Sequence, residues 1–156
     1  MVIHVAPVAR PCNSAMLSHV RTAALWGLEA LPVECEVDVG PGLPGFVLVG
    51  LPDASGREAR DRVWPALRNA GFQIPDRKVT VNLAPAERRK EGSSADLAVA
   101  LGVLTATGQA PPARLENAAA LGEIALDGRL RAVRGTLPLA ETLWRTGVTT
   151  LIHRLA

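Results

Sequence analysis

The chain has 156 residues, of which 48% are apolar and 21% charged, with a formal net charge of +2. That length can bury a core without disulfides or a structural metal, and the composition is globular, which excludes disorder through the whole chain. A charge so close to zero gives no electrostatic argument for a nucleic-acid or membrane surface.

One domain, or one domain plus a tail, is expected. The basic residues are nearly all arginine, with lysine only at Lys78 and Lys90. Arginine suits bidentate phosphate or carboxylate contacts, and a compositional bias of the source explains the pattern equally well. Cys12 and Cys35 form no CxxC, and His4, His19 and His153 have no metal-ligand spacing, so no metal site is expected. No apolar run reaches the ~20 residues needed to span a bilayer. The opening MVIHVAPVARPCNSAM lacks the charge-led apolar core of a signal peptide, and a cytoplasmic location is the expectation.

In chain order, residues 1–19 lack periodicity and read as a loose leader upstream of the true start. Arg21–Gly27 predicts a first strand. In Pro32–Val39 the apolar Val33, Cys35, Val37 and Val39 alternate with Glu34, Glu36 and Asp38, the period of a half-buried strand. Its acids form a wet face, or ligate a metal if a second cluster joins them. Gly40–Gly45 is a dense turn. A phosphate loop there would need free N–H groups and a following Lys-Ser/Thr, and two prolines and a strand stand instead. Phe46–Val49 is that strand.

Ala54–Ala70 predicts a helix capped by Asp53 and stopped by Gly71, with Ala59, Val63, Ala66, Leu67 and Ala70 inward. Arg57, Arg60 and Arg62 are placed on its outer side. Pro65 removes one backbone bond at a cost of roughly 3 kcal/mol. Arg77–Leu83 is a strand and Ala84–Ser93 a polar loop with Arg88, Arg89 and Lys90. Ser94–Thr107 is apolar nearly all round, which predicts a buried central helix capped by Ser93 or Ser94. Ala118–Leu126 and Arg129–Val133 predict a hairpin turning at Asp127-Gly128. A short helix follows at Thr136–Arg145, with Leu137, Ala140, Leu143 and Trp144 inward, then a strand at Val148–Ile152.

Three stretches carry a family resemblance: GLPGFVLVGLPD at Gly42–Asp53, VNLAPAERRKEGSSADLAVAL at Val81–Leu101, and LGEIALDGRLRAVRG at Leu121–Gly135. Over about residues 20–155 the chain resembles the amino-terminal, Lon-protease-like domain of the ComM/YifB magnesium-chelatase-like AAA+ ATPases. The resemblance implies an α+β fold, a two-layer sheet-and-helix domain of the ribosomal-protein (second-domain) type shared with Lon. It implies a following AAA+ module, outside this sequence, that carries the ATP and magnesium sites and forms rings. It further implies DNA branch migration in natural transformation as the parent activity, with DNA and the ring or a homo-oligomer as partners, and no membrane.

The resemblance also places residues. Lys90-Glu91-Gly92-Ser93-Ser94-Ala95-Asp96 aligns with the Lon-type pattern Lys-Asp-Gly-Pro-Ser-Ala-Gly, which puts Ser94 at the nucleophile position. The Lon-type base, a lysine in Gly-Gly-Leu-Lys, falls on Leu137. Serine is a weak nucleophile until a base takes its proton, and arginine cannot serve. No catalytic residue is therefore expected, with Ser94 read as a helix cap. The alternative is a residual serine hydrolase centred on Ser94. Arg57, Arg60, Arg62, Arg88, Arg89 and Lys90 are the candidate contacts to DNA or a partner, against a plain solvated face. No cofactor or metal is expected in this chain itself.

Overall fold

The computed structural model describes residues 16–50, 53–86 and 93–154. Strands β1 (Leu17–Trp26) and β2 (Glu29–Gly40) form a long antiparallel hairpin, in register from Leu17 opposite Asp38 to Trp26 opposite Glu29. The first strand thus begins before Arg21, and Leu17–His19 belong to the sheet rather than to a leader. Sequence hid this because a polar residue, Ser18, sits on the buried side. Its hydroxyl donates to the Gly102 carbonyl at 2.7 Å, which satisfies it there. Residues 1–15 lie outside the described residues.

β3 (Gly45–Val49), α1 (Asp53–Asn69) and β4 (Lys78–Ala84) follow. Then come α2 (Asp96–Ala106), a 3-10 turn at Pro112–Leu115, and β5 (Ala118–Ala120). The chain closes with β6 (Glu123–Ile124), β7 (Leu130–Arg131), α3 (Thr136–Arg145) and β8 (Thr150–Ile152). The main sheet has six strands in the order β3-β4-β2-β1-β5-β8. It is mixed: β4, β2 and β1 run antiparallel, while β3 joins β4, β5 joins β1 and β8 joins β5 in parallel. The α+β class expected from the sequence is therefore present.

The alternation along β2 and β4 puts Val33, Cys35, Val37, Val39, Val79, Val81 and Leu83 on one face, all buried under α1 and α2. Burial pushes the Cys35 thiol up to about 12, so the residue behaves as a small apolar group. α1 docks on β3 through Trp64, whose ring meets Phe46 edge-on with centroids 4.9 Å apart. It runs through Pro65 and stops at Gly71 (φ +87°), where the Phe72 N–H closes onto the Leu67 carbonyl. The cap expected of Asp53 falls outside the described side chains.

The helices are not all on one face, which departs from the expected two layers. Ala23 and Leu25, on the opposite face of β1 from Val20 and Ala24, pack with Leu139 and Leu143 of α3. α3 thus lies against β1 and β2 on the second face, near their hairpin turn, where the Thr142 hydroxyl meets the Ala30 carbonyl. The rest of that face carries His19, Glu34, Glu36 and Asp38. Glu36 accepts from Asn82 Nδ2 at 2.7 Å and His19 lies 3.2 Å from Glu34, so the acids do form a polar face. No group of three or more metal-ligating side chains occurs among the described residues.

Two further expectations are corrected. The stretch 118–126 is not one strand. Leu121 N–H donates to the Ile152 carbonyl at the end of the β5–β8 ladder, and at Gly122 the chain turns to brace α2, with Gly122 N–H donating to the Ser94 carbonyl and Leu97 N–H to the Gly122 carbonyl. β6 and β7 then make a separate two-stranded ribbon. Its loop spans three residues, Leu126 to Gly128. Ala125 and Arg129 bond across it, and Gly128 takes the positive φ (+84°) that this loop length needs. In α3 the buried stripe is Leu139 and Leu143, while Leu137 and Trp144 are 80% and 71% exposed. Both stripes are apolar at helical spacing, and periodicity alone cannot choose between them.

Thr22 is fully buried, and its hydroxyl has no partner among the described residues. An unsatisfied buried hydroxyl costs about 1–3 kcal/mol. Thr22→Val keeps the shape and removes the polar atom, so urea unfolding should show a gain of about 1 kcal/mol.

Candidate functional site

Between α1, the start of α2 and β6 lies a cleft of about 290 Å³. Its lining is apolar at Ala24, Val33, Leu48, Leu83 and Val99 and polar at Glu58, Arg62, Ser93, Ser94, Asp96 and Glu123. The Lon-type resemblance pointed to this place through Ser94.

Ser94 is buried, and its hydroxyl donates to the backbone carbonyl of Ala23 at 2.9 Å. It does not cap α2. The cap position is Ala95, which makes no side-chain bond. Sequence offered a cap or a nucleophile. The structure assigns a third role, a pin between the entry to α2 and the middle of β1. A carbonyl oxygen is no base, so this bond holds the hydroxyl proton without activating the oxygen. Leu137 begins α3 on the other face of the sheet, with its side chain in solvent. Of the two lysines, Lys78 starts β4 beside Gly42, and Lys90 lies outside the described residues.

Arg62 overturns its expected placement on an outer face. Its guanidinium grips Asp96, with Nε donating at 2.7 Å and Nη2 at 3.1 Å, and the Asp96 side chain is 3% exposed. The Ile124 backbone N–H also bonds this carboxylate. One buried acid thereby ties together α1, α2 and β6. Burial raises the Asp96 carboxyl above its ordinary value, and the bonds from Arg62 pull against that rise. The bond to Asp96 in turn holds Arg62 firmly charged. The sequence did contain a signal: Arg62 is three residues after Ala59 and four before Ala66, both of which face inward.

Ser93 donates to Glu123, and Arg131 Nη1 donates to the same carboxylate at 3.2 Å. The Ser93 bond chiefly, then Arg131, lowers Glu123 below the usual carboxylate range. A lowered carboxyl contributes stability that is present above its unfolded value, near 4.3, and lost as pH falls through the folded value. Asp96, raised, acts in the opposite sense. Glu123→Gln should therefore give a shallower loss of thermal stability below about pH 4.5 than the unchanged protein.

Of the other candidate contacts, Arg57 and Arg60 are exposed on α1, with Arg60 paired to its neighbour Asp61 at 2.8 Å. Arg88, Arg89 and Lys90 lie outside the described residues. With Arg62 turned inward, the described residues do not join these candidates into one basic patch. No helix among the described residues is long and apolar enough to cross a membrane.

The family described as subunit ChlI of Mg-chelatase matches residues 35–154. The YifB protein of Escherichia coli is 43% identical over 131 residues, covering 84% of this chain and 26% of that protein. The competence protein ComM of Haemophilus influenzae is 45% identical over 122 residues, covering 78% of this chain and 24% of that protein. The chain spans about a quarter of the length of the curated relatives it matches. The cleft motifs, Ser93 to Leu101 and Gly122 to Arg131, lie inside the matched span, and the chain belongs to the magnesium-chelatase-like family that includes YifB and ComM.

Proposed function

We propose that this chain acts as a non-catalytic amino-terminal domain of a magnesium-chelatase-like AAA+ ATPase. The parent protein, in this reading, is an ATP-driven DNA branch-migration motor of natural transformation. The observation that carries the non-catalytic part is the Ser94 hydroxyl, donated to the Ala23 carbonyl rather than to a base. The printed name of the Haemophilus relative, a competence protein, supports the transformation setting. A Lon-type ribosomal-protein fold, ATP and magnesium held by a separate ATPase module, DNA contact through the parent and a cytoplasmic location belong to the same reading.

The domain's role is then to assemble or regulate the ring. Co-expression with the ATPase portion of a full-length relative tests it. The reading expects the two to co-purify as a ring-sized species by light scattering. A chain that stays alone would contradict it. A residual hydrolase at Ser94 has no supporting contact among the described residues. Restoring the Lon-type lysine by Leu137→Lys should leave Ser94 inert, because that position starts α3 across the sheet.

A further inference from the structure

β3 is one edge of the main sheet. It pairs in parallel with β4 on one side, and among the described residues no strand takes the other. Gly45 N–H donates to the Arg77 carbonyl, on the β4 side. Backbone groups alternate in direction along such a strand, so Val47 and Val49 also face β4, while Phe46 and Leu48 turn N–H and C=O outward. A row of this kind is a template for another strand. The devices that blunt an edge are missing here. From Val39 to Pro52 the sequence has no charged residue, and Pro44 and Pro52 lie outside the strand. The opposite edge differs, since β8 spans only Thr150–Ile152 and runs into His153 and Arg154. The side chains of β3 are apolar on both faces. Phe46 and Leu48 pack on the core, and Val47 and Val49 are 45% and 46% exposed on the other face.

We propose that β3 is a self-pairing edge: a second copy of this chain adds its own β3, antiparallel, across a two-fold axis at Val47. This register engages both outward residues of each copy. Phe46 of one copy exchanges main-chain hydrogen bonds with Leu48 of the other, and the two Val47 residues form the close, non-hydrogen-bonded pair between them. An axis at Phe46 would set Leu48 against Pro44, which has no N–H, and an axis at Leu48 would set Phe46 against Gly50, beyond the strand. Side chains match in the same register, with Phe46 beside Leu48 on the core side and valine beside valine on the other. No like charges meet, which a self-pair must avoid. This match of the strand to itself is what selects a second copy as the occupant. A two-fold contact is isologous and differs from the head-to-tail contacts that close a ring, so the inference does not rest on the proposed ring.

Sedimentation velocity of the whole chain across a wide range of concentration tests the proposal. Expected is a monomer–dimer equilibrium with a dissociation constant on the order of 10–100 µM, as suits a contact built on a short strand. Hydrogen exchange at the Phe46 and Leu48 amides should slow as the dimer forms. Val47→Lys and Val47→Glu, at a half-exposed position, should each weaken the dimer about fivefold by setting like charges together, with circular dichroism confirming that both stay folded. Mixing the two variants should restore pairing, because unlike charges then meet at the axis. Replacing the exposed stripe of α3 by Leu137→Ser with Trp144→Ser should leave the dimer in place. A chain that stays monomeric throughout, a dimer that both Val47 variants keep, a dimer lost with the α3 stripe, or Phe46 and Leu48 amides already protected in the monomer would each overturn the proposal.

Discussion

Arg62→Ala should lower the unfolding free energy by about 3–5 kcal/mol, the usual result of leaving a buried carboxylate without its partner. Asp96 is almost wholly enclosed, and two of its hydrogen bonds come from that guanidinium. The loss should depend on pH in a defined direction. Asp96 is already raised by burial, and without Arg62 it rises further. A raised carboxyl contributes stability that is fully present below its unfolded value, near 3.9, and is lost as pH rises through the folded value. The deficit of Arg62→Ala should therefore be largest near neutral pH and shrink as the solution is acidified. Urea unfolding at several pH values measures it. The double variant Arg62→Leu, Asp96→Leu should recover much of the deficit, because apolar replacement of both partners is often neutral. A single variant within 1 kcal/mol of the unchanged protein at pH 7 would mean that the pair ties nothing together.

Gly102→Ala is the second large effect expected, a loss of about 1–3 kcal/mol from overpacking. A Cβ on Gly102 would stand 2.5 Å from the Val37 Cγ2, closer than side chains approach. The glycine lets α2 lie directly on β2, and the Ser18 hydroxyl bonds its carbonyl from β1 at that crossing. Val37→Ala should relieve the clash, so the two changes together should cost less than their sum. Neighbours in contact couple in this way. Strict additivity in a double-mutant cycle would show that α2 has room to lift away.

How far the sequence foretold the molecule depends on which physical signal each element used. β2 and β4 were legible because one side of each is uniformly apolar and the other polar. α2 was legible because it is apolar nearly all round, which suits a helix held between α1 and the sheet. The start of β1 is hidden in the sequence because Ser18 is a buried polar residue, and its partner, the Gly102 carbonyl, is 84 positions away. The same kind of distance hid the cleft. Arg62 meets Asp96 across 34 positions, Ser93 meets Glu123 across 30, and Ser94 meets Ala23 across 71. The resemblance to Lon-type domains located the cleft through Ser94, although its hydroxyl bonds the Ala23 carbonyl rather than capping α2. Hydroxyl bonds to backbone carbonyls leave no trace in spacing, since any residue can supply the carbonyl. The exposed stripe of Leu137 and Trp144 is a different failure, in which two apolar stripes of α3 competed and only the fold could choose.

In the proposed reading, Ser94 is a structural pin in a domain that retains the Lon-type position without its chemistry. The direct measurement is intact-mass and peptide analysis after exposure of the folded chain to a fluorophosphonate at neutral pH. The account predicts Ser94 unmodified, as its hydroxyl stays donated to the Ala23 carbonyl. Stoichiometric phosphonylation of Ser94, abolished by unfolding the protein, would contradict it.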